Sequence, residues 1–209
     1  MVESISLMFY LITSVTYSFS ALMVFLVSYF AFRAYKMTKN KTHLFLFLSF
    51  FMLGLGLISL SVVSIYIYAN WTLYKSSSIS INLINYQGFT AYYIFSAISY
   101  ILLTFIYLPK KLKMKLPIIY VPLWYADSDN FHIFSLILVG YVVFRSIINS
   151  VKKRNLDSYF VTFAFVSFFI FHLLLLLTPF SQTMYIIANT FLIIGSLSLL
   201  LMLIRVNVK

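Results

Sequence analysis

Long apolar runs, several of them bounded by a short cluster of lysine and arginine, set the pattern of this chain. Residues 44–69 hold no charged side chain. Coiled as a helix, those 26 residues would reach about 39 Å at 1.5 Å each, more than the roughly 30 Å of a bilayer's hydrocarbon core. The same reading predicts helical spans over 5–31, 88–108, 131–149, 158–178 and 183–204. Between them lie a basic turn with Arg33, Lys36, Lys39 and Lys41, a second with Lys110, Lys111, Lys113 and Lys115, and a third with Lys152, Lys153 and Arg154. Residues 70–87 form the longest polar stretch. The fold class expected is an all-α integral membrane protein, a helical bundle.

Residues 116–126 do not fit the scheme so simply. They are apolar but carry Pro117 and Pro122, and as a helix they would cover only about 16 Å, too little to cross. The charges nevertheless ask for a crossing there. If 33–41, 110–115, 152–154 and the tail all face the cytoplasm, fourteen of the fifteen Lys and Arg lie at the inner side, and Glu3, Asp127 and Asp129 fall outside. This is the positive-inside pattern. It predicts seven spans, N-terminus outside and C-terminus inside, with the fourth short or locally thinning the bilayer. The alternative is six full helices with 116–126 re-entrant or interfacial. Met1-Val2-Glu3-Ser4 lacks the positive start of a signal peptide, so the first run is expected to stay as a span.

The threading brings out an internal echo. Tyr29, Phe32 and Arg33 recur as Tyr141, Phe144 and Arg145, and Tyr93-Ile94-Phe95-Ser96-Ala97 resembles Tyr185-Ile186-Ile187-Ala188-Asn189. One polytopic domain over 1–209 is expected, with repeat halves 5–108 and 131–205 around a linker, 109–130. A parallel repeat of this kind occurs in some small transporters.

Composition agrees with membrane residence. The 209 residues are 63% hydrophobic and 9% charged, against about 25% charged in soluble domains, and the mean hydropathy is +1.00. A net charge of +11 invites a nucleic-acid reading, but cations clustered beside apolar spans point instead to anionic inner-leaflet lipid. No nucleic acid is expected as a partner, and the plasma membrane is the expected location. With no cysteine there is no disulfide or thiolate metal site.

Candidate chemistry is sparse. In the first span Thr13, Thr16, Tyr17 and Ser20 share one helical face. They pack between helices or, with Asn189, line a polar pocket. No acidic residue or lysine lies mid-span, which counts against a proton-driven pump. His132 and His172 are the candidates for a haem or metal ligand pair, beside Asp127 and Asp129, although the two histidines are expected at different depths and a buried neutral histidine is the commoner case. The spacing offers no metal motif, and no phosphate loop, zinc-protease His pair or nucleophile elbow is present. No cofactor is expected.

Phe32-Arg33-Ala34-Tyr35-Lys36-Met37-Thr38, followed by Leu44-Phe45-Leu46-Phe47-Leu48-Ser49-Phe50 and Gly54, resembles a pattern in multi-pass archaeal membrane proteins of unassigned function. The resemblance implies a helix, a basic hinge and a returning helix, and carries no activity. The arrangement of three, one and three helices is similar to that of the small sugar-transporting semi-helix proteins, whose Pro-Gln pair has no counterpart here, since the first and fifth spans contain no proline. The leading expectation is a non-catalytic partner-binding or structural module, an accessory subunit among other membrane subunits or a receptor or anchor. A facilitator or channel for a small neutral solute is the alternative, and a haem- or metal-binding membrane protein the third reading.

Overall fold

The computed structural model describes residues 2–70, 81–109, 128–178 and 181–208. Six α-helices and no strand occur among them: α1 (Val2–Thr38), α2 (Lys41–Ala69), α3 (Ile81–Tyr107), α4 (Ser128–Lys153), α5 (Leu156–Leu176) and α6 (Gln182–Val208). Each is long and apolar enough to cross a membrane, the make-up of a multi-pass membrane protein. Residues 116–126 and the cluster Lys110, Lys111, Lys113 and Lys115 lie outside the described residues, as does Asp127.

Two boundaries differ from those the pattern predicts. α1 continues through Arg33 and Lys36 to Thr38, because Arg, Lys, Ala and Met are good helix formers and cations suit a helix C-terminus. α3 starts at Ile81, inside the polar stretch 70–87. There Ile81 and Ile84, and Leu83 and Tyr86, keep helical spacing, so scattered Asn and Gln do not stop the helix.

The turns after α1 and α4 have one design. Lys39 and Arg154 adopt left-handed backbone conformations, with φ of 53° and 48°. Their amides donate to the carbonyls of Tyr35 (2.8 Å) and Ser150 (2.9 Å), which satisfies orphan carbonyls of the last helical turn. An asparagine then caps the next helix: Asn40 Oδ1 accepts from the Thr42 amide at 2.9 Å, and Asn155 Oδ1 from the Ser158 amide at 2.9 Å. A cation followed by Asn is the sequence signal for both, and sequence inspection alone passes over it.

Helix directions follow from paired contacts. α1 and α2 are antiparallel, joined by Ser18–Ser61 (2.5 Å) near one end and Ser28 to the Phe47 carbonyl (3.0 Å) near the other. α2 and α3 are antiparallel too, through Ser49–Ser99 and Ser59–Gly88. α4 meets α5 head to tail, and so does α5 with α6, where Ser198 bonds the Phe160 carbonyl and Arg205 pairs with Asp157 at 3.2 Å. α3 and α4 run the same way: Tyr93 stacks on Phe131 at 4.3 Å, and further along Thr104 meets the Leu138 carbonyl at 3.5 Å. Hence α1, α3, α4 and α6 point one way and α2 and α5 the other. The end of α3 and the start of α4 therefore lie at opposite ends of the bundle. Every described Lys and Arg sits toward one end, with Asp129 toward the other.

Helices pack in chain order and α6 closes on α1. Contact is extensive within α1–α2–α3 and within α4–α5–α6, and sparse across the α1/α6 and α3/α4 seams. Leu22, Val62, Ile137 and Phe163 face outward, whereas the interior holds Ser20, Ser49, Ser96, Ser99 and Ser135. Those serines sit among large apolar side chains such as Leu53, Leu57, Phe165 and Phe168, and in lipid such small residues allow close backbone approach. Gly56 shows it: a Cβ there would lie 3.1 Å from Ser96 Oγ and 3.3 Å from the Tyr92 carbonyl oxygen.

Candidate functional site

Thr13, Thr16, Tyr17 and Ser20 are all buried, on the face of α1 turned to the bundle. The Tyr17 hydroxyl lies 3.0 Å from that of Tyr185 on α6, and this bond bridges the α1/α6 seam. Thr13 and Asn189 flank the Tyr185 hydroxyl. Thr13 Oγ1 and Asn189 Oδ1 are nevertheless buried without a hydrogen-bond partner, and so is Ser20 Oγ one turn further along α1. A cavity of about 100 Å³ opens beside them between α1, α2, α3 and α6, lined by Thr13, Tyr17, Ser64 and Tyr185 among aromatic and aliphatic side chains. Its place is toward the end away from the cations. A buried polar atom without a partner is unusual, and it is more costly where water is scarce. The hydroxyls of Thr13, Tyr17, Ser64 and Tyr185 at the cavity wall suit a ligand that both donates and accepts hydrogen bonds and carries no charge.

Tyr185 is the residue that sequence reasoning left out of this pocket. It stands four positions before Asn189, hence on the same helical face, and that spacing could have found it.

The second polar group occupies the α3/α4/α5 junction. His132 Nδ1 lies 3.0 Å from His172 Nδ1, and His172 Nε2 lies 2.7 Å from the Tyr100 hydroxyl. His172 is 0% exposed, Tyr100 2% and His132 6%. The expectation of different depths is overturned. His132 is four residues into α4 and His172 four residues from the end of α5, so antiparallel packing brings them level. Tyr100 belongs to a stripe of Tyr92, Ser96, Tyr100, Thr104 and Tyr107 at helical spacing along α3, a signal the sequence carries but does not advertise.

The pair does not fit a haem. A porphyrin ligated from both faces would have to lie between the ring nitrogens, and a direct contact of 3.0 Å leaves no gap. No group of three or more His, Asp or Glu able to hold a metal occurs among the described residues.

At the cationic end Arg33, Lys36, Lys39, Lys41, Lys152, Lys153 and Arg154 are exposed. Lys36 Nζ lies over the Phe32 ring at 4.8 Å. A cavity of about 240 Å³ opens there, lined in part by Tyr107, Asn149, Lys153, Asn155 and Asp157. No family model, curated protein or solved structure matches the chain.

Proposed function

We propose that this chain is a plasma-membrane facilitator for a small neutral polar solute, built as two three-helix units of like orientation joined by a fourth crossing. The observation that carries the reading is the buried polar cluster of Thr13, Asn189 and the Tyr17–Tyr185 hydroxyl pair, of which Thr13, Tyr17 and Tyr185 line the cavity. With no charge in the pocket, a hydroxylated or amide-like solute is the matching chemistry. The cavity has room for a few heavy atoms, since one water occupies about 30 Å³ of liquid.

The parallel course of α3 and α4 supports seven crossings. The chain leaves α3 at the cationic end and takes up α4 at the other, and residues 108–127 join them. The like course of α1–α2–α3 and α4–α5–α6, and the matched turns at Lys39-Asn40 and Arg154-Asn155, support a parallel repeat. The cationic end is the cytoplasmic one by the positive-inside rule, with anionic lipid against it. A second reading, a partner-binding module in a larger membrane assembly, is favoured by the exposed cations of that end, of which Lys153 lines the larger cavity.

The test is osmotic. Vesicles containing purified protein are mixed with glycerol or urea, and reswelling is followed by light scattering. Reswelling should be faster than in empty vesicles and fall with Thr13→Val plus Asn189→Leu. Equal rates for loaded and empty vesicles with both solutes would overturn the proposal.

A further inference from the structure

The larger cavity, of about 240 Å³, opens at the cationic end, where α3, α4 and α6 come to the start of α5. Ser146, Asn149, Ser150 and Lys153 fall at i, i+3, i+4 and i+7 of α4, so a single helical face lines it. Tyr107 joins them from α3, and Asn155 and Asp157 from the α4–α5 turn and the first turn of α5. We infer that this cavity is a binding site for a phosphate group, carried by a lipid headgroup or by a free phosphate compound. It lies at the opposite end of the bundle from the tyrosine pocket, and it stands without the solute reading.

The wall is fixed by bonds already made, and other donors are left over. Ser146 donates to the Val143 carbonyl at 2.8 Å, Ser150 to the Ser158 carbonyl at 2.9 Å, and Ser150 also meets the Thr162 hydroxyl. These hydroxyls hold α4 against α5. No hydrogen bond among the described residues engages the Tyr107 hydroxyl, the Asn149 amide or the Lys153 ammonium. Arg145, four positions before Asn149 and so on its side of α4, keeps its Nε buried without a hydrogen-bond partner. A buried charged donor left unmade is costly, and an anion beside Asn149 relieves that cost.

The surrounding charge decides the sign of the ligand. Nine described Lys and Arg lie toward this end, and Asp157 is its one carboxylate among the described residues. Arg205 sits 3.2 Å from that carboxylate and neutralises it. The cavity therefore keeps the positive potential of its surroundings, which low-dielectric walls focus. The start of α5, capped by Asn155 at the cavity wall, adds the positive end of a helix dipole. A lysine, an amide and a phenol hydroxyl around a positive cleft match the oxygens of a phosphate, and basic pockets between membrane helices take phosphorylated headgroups in this way.

The experiment has two arms. Purified protein in neutral detergent is titrated with glycerol 3-phosphate by calorimetry. In parallel, protein extracted from vesicles of phosphatidylglycerol and phosphatidylcholine is examined by native mass spectrometry for retained phosphatidylglycerol. Saturable binding of glycerol 3-phosphate identifies a free phosphate compound as the ligand, and retention of the lipid without it identifies a headgroup. Whichever arm responds, Lys153→Gln should weaken it by at least about tenfold, the size of one hydrogen bond to a charged group. Asn149→Leu, which fills the cavity, should do the same. Lys152→Gln, in the same turn but off the cavity wall, should change it by no more than about threefold, as for an exposed charge. Absence of binding in both arms overturns the site. So do equal losses in Lys152→Gln and Lys153→Gln, which mark a general surface attraction, and so does unchanged binding in Lys153→Gln and Asn149→Leu.

Discussion

Removing the hydroxyls that bridge α1 and α6 separates a structural from an incidental role for that seam. Contact between these helices is sparse, so the Tyr17–Tyr185 bond at 3.0 Å should be measurable in a double-mutant cycle. Tyr17→Phe deletes one partner of a pair. Tyr185→Phe deletes the group that Tyr17 bonds and leaves the Tyr17 hydroxyl, 2% exposed on the more buried side of the seam, without its partner. Interhelical hydrogen bonds in membrane proteins average about 0.6 kcal/mol and reach about 1.7 kcal/mol. Each orphaned group adds on the order of 1 kcal/mol. The expected losses are therefore about 0.5–1 kcal/mol for Tyr17→Phe and about 1–2 kcal/mol for Tyr185→Phe, with a coupling of about 0.6 kcal/mol. The assay is equilibrium unfolding in mixed micelles, followed by helix content, for both single variants and the double. A coupling near zero, or a greater loss for Tyr17→Phe than for Tyr185→Phe, would refute the seam as drawn.

Further outcomes follow from the packing and the turns. Gly195→Ala puts a Cβ 2.8 Å from the buried Phe168 ring and 3.1 Å from the Ala164 carbonyl oxygen. It should destabilise by about 1–2 kcal/mol, since overpacking at about 1–3 kcal/mol outweighs a helix-propensity gain of about 1 kcal/mol. Gly140→Ala meets only the half-buried Phe169 ring at 3.2 Å and should be neutral or stabilising in the same unfolding assay. Lys39→Gly and Arg154→Gly relieve left-handed strain and should stabilise by up to about 1 kcal/mol, whereas Lys39→Val should destabilise. Because the chain has no cysteine, Asp129→Cys and Lys153→Cys can each be probed on intact cells with a membrane-impermeant maleimide. Labelling should reach the first and miss the second, and reaction of both from one side would break the helix directions.

Much of the architecture needed nothing beyond the order of residues. Uninterrupted apolar length dictates membrane-spanning helices because lipid offers no partner for an unpaired backbone group, and periodicity alone puts Thr13, Thr16, Tyr17 and Ser20 on one face. The gathering of the described cations at one end was legible in the charge pattern. Three decisions belonged to the assembled bundle. The end-to-end course between α3 and α4 becomes visible only through contacts such as Tyr93–Phe131, because a helix carries no mark of its neighbour's direction. Tyr185 joins Thr13 and Tyr17 only when α6 closes on α1, a contact between positions 168 residues apart. His132 and His172 come level only because α4 and α5 run antiparallel from a tight turn, so equal distances from two helix ends become equal depth. Position along a chain dictates face and periodicity; depth and partnership are set by which helices pack together, and in which sense.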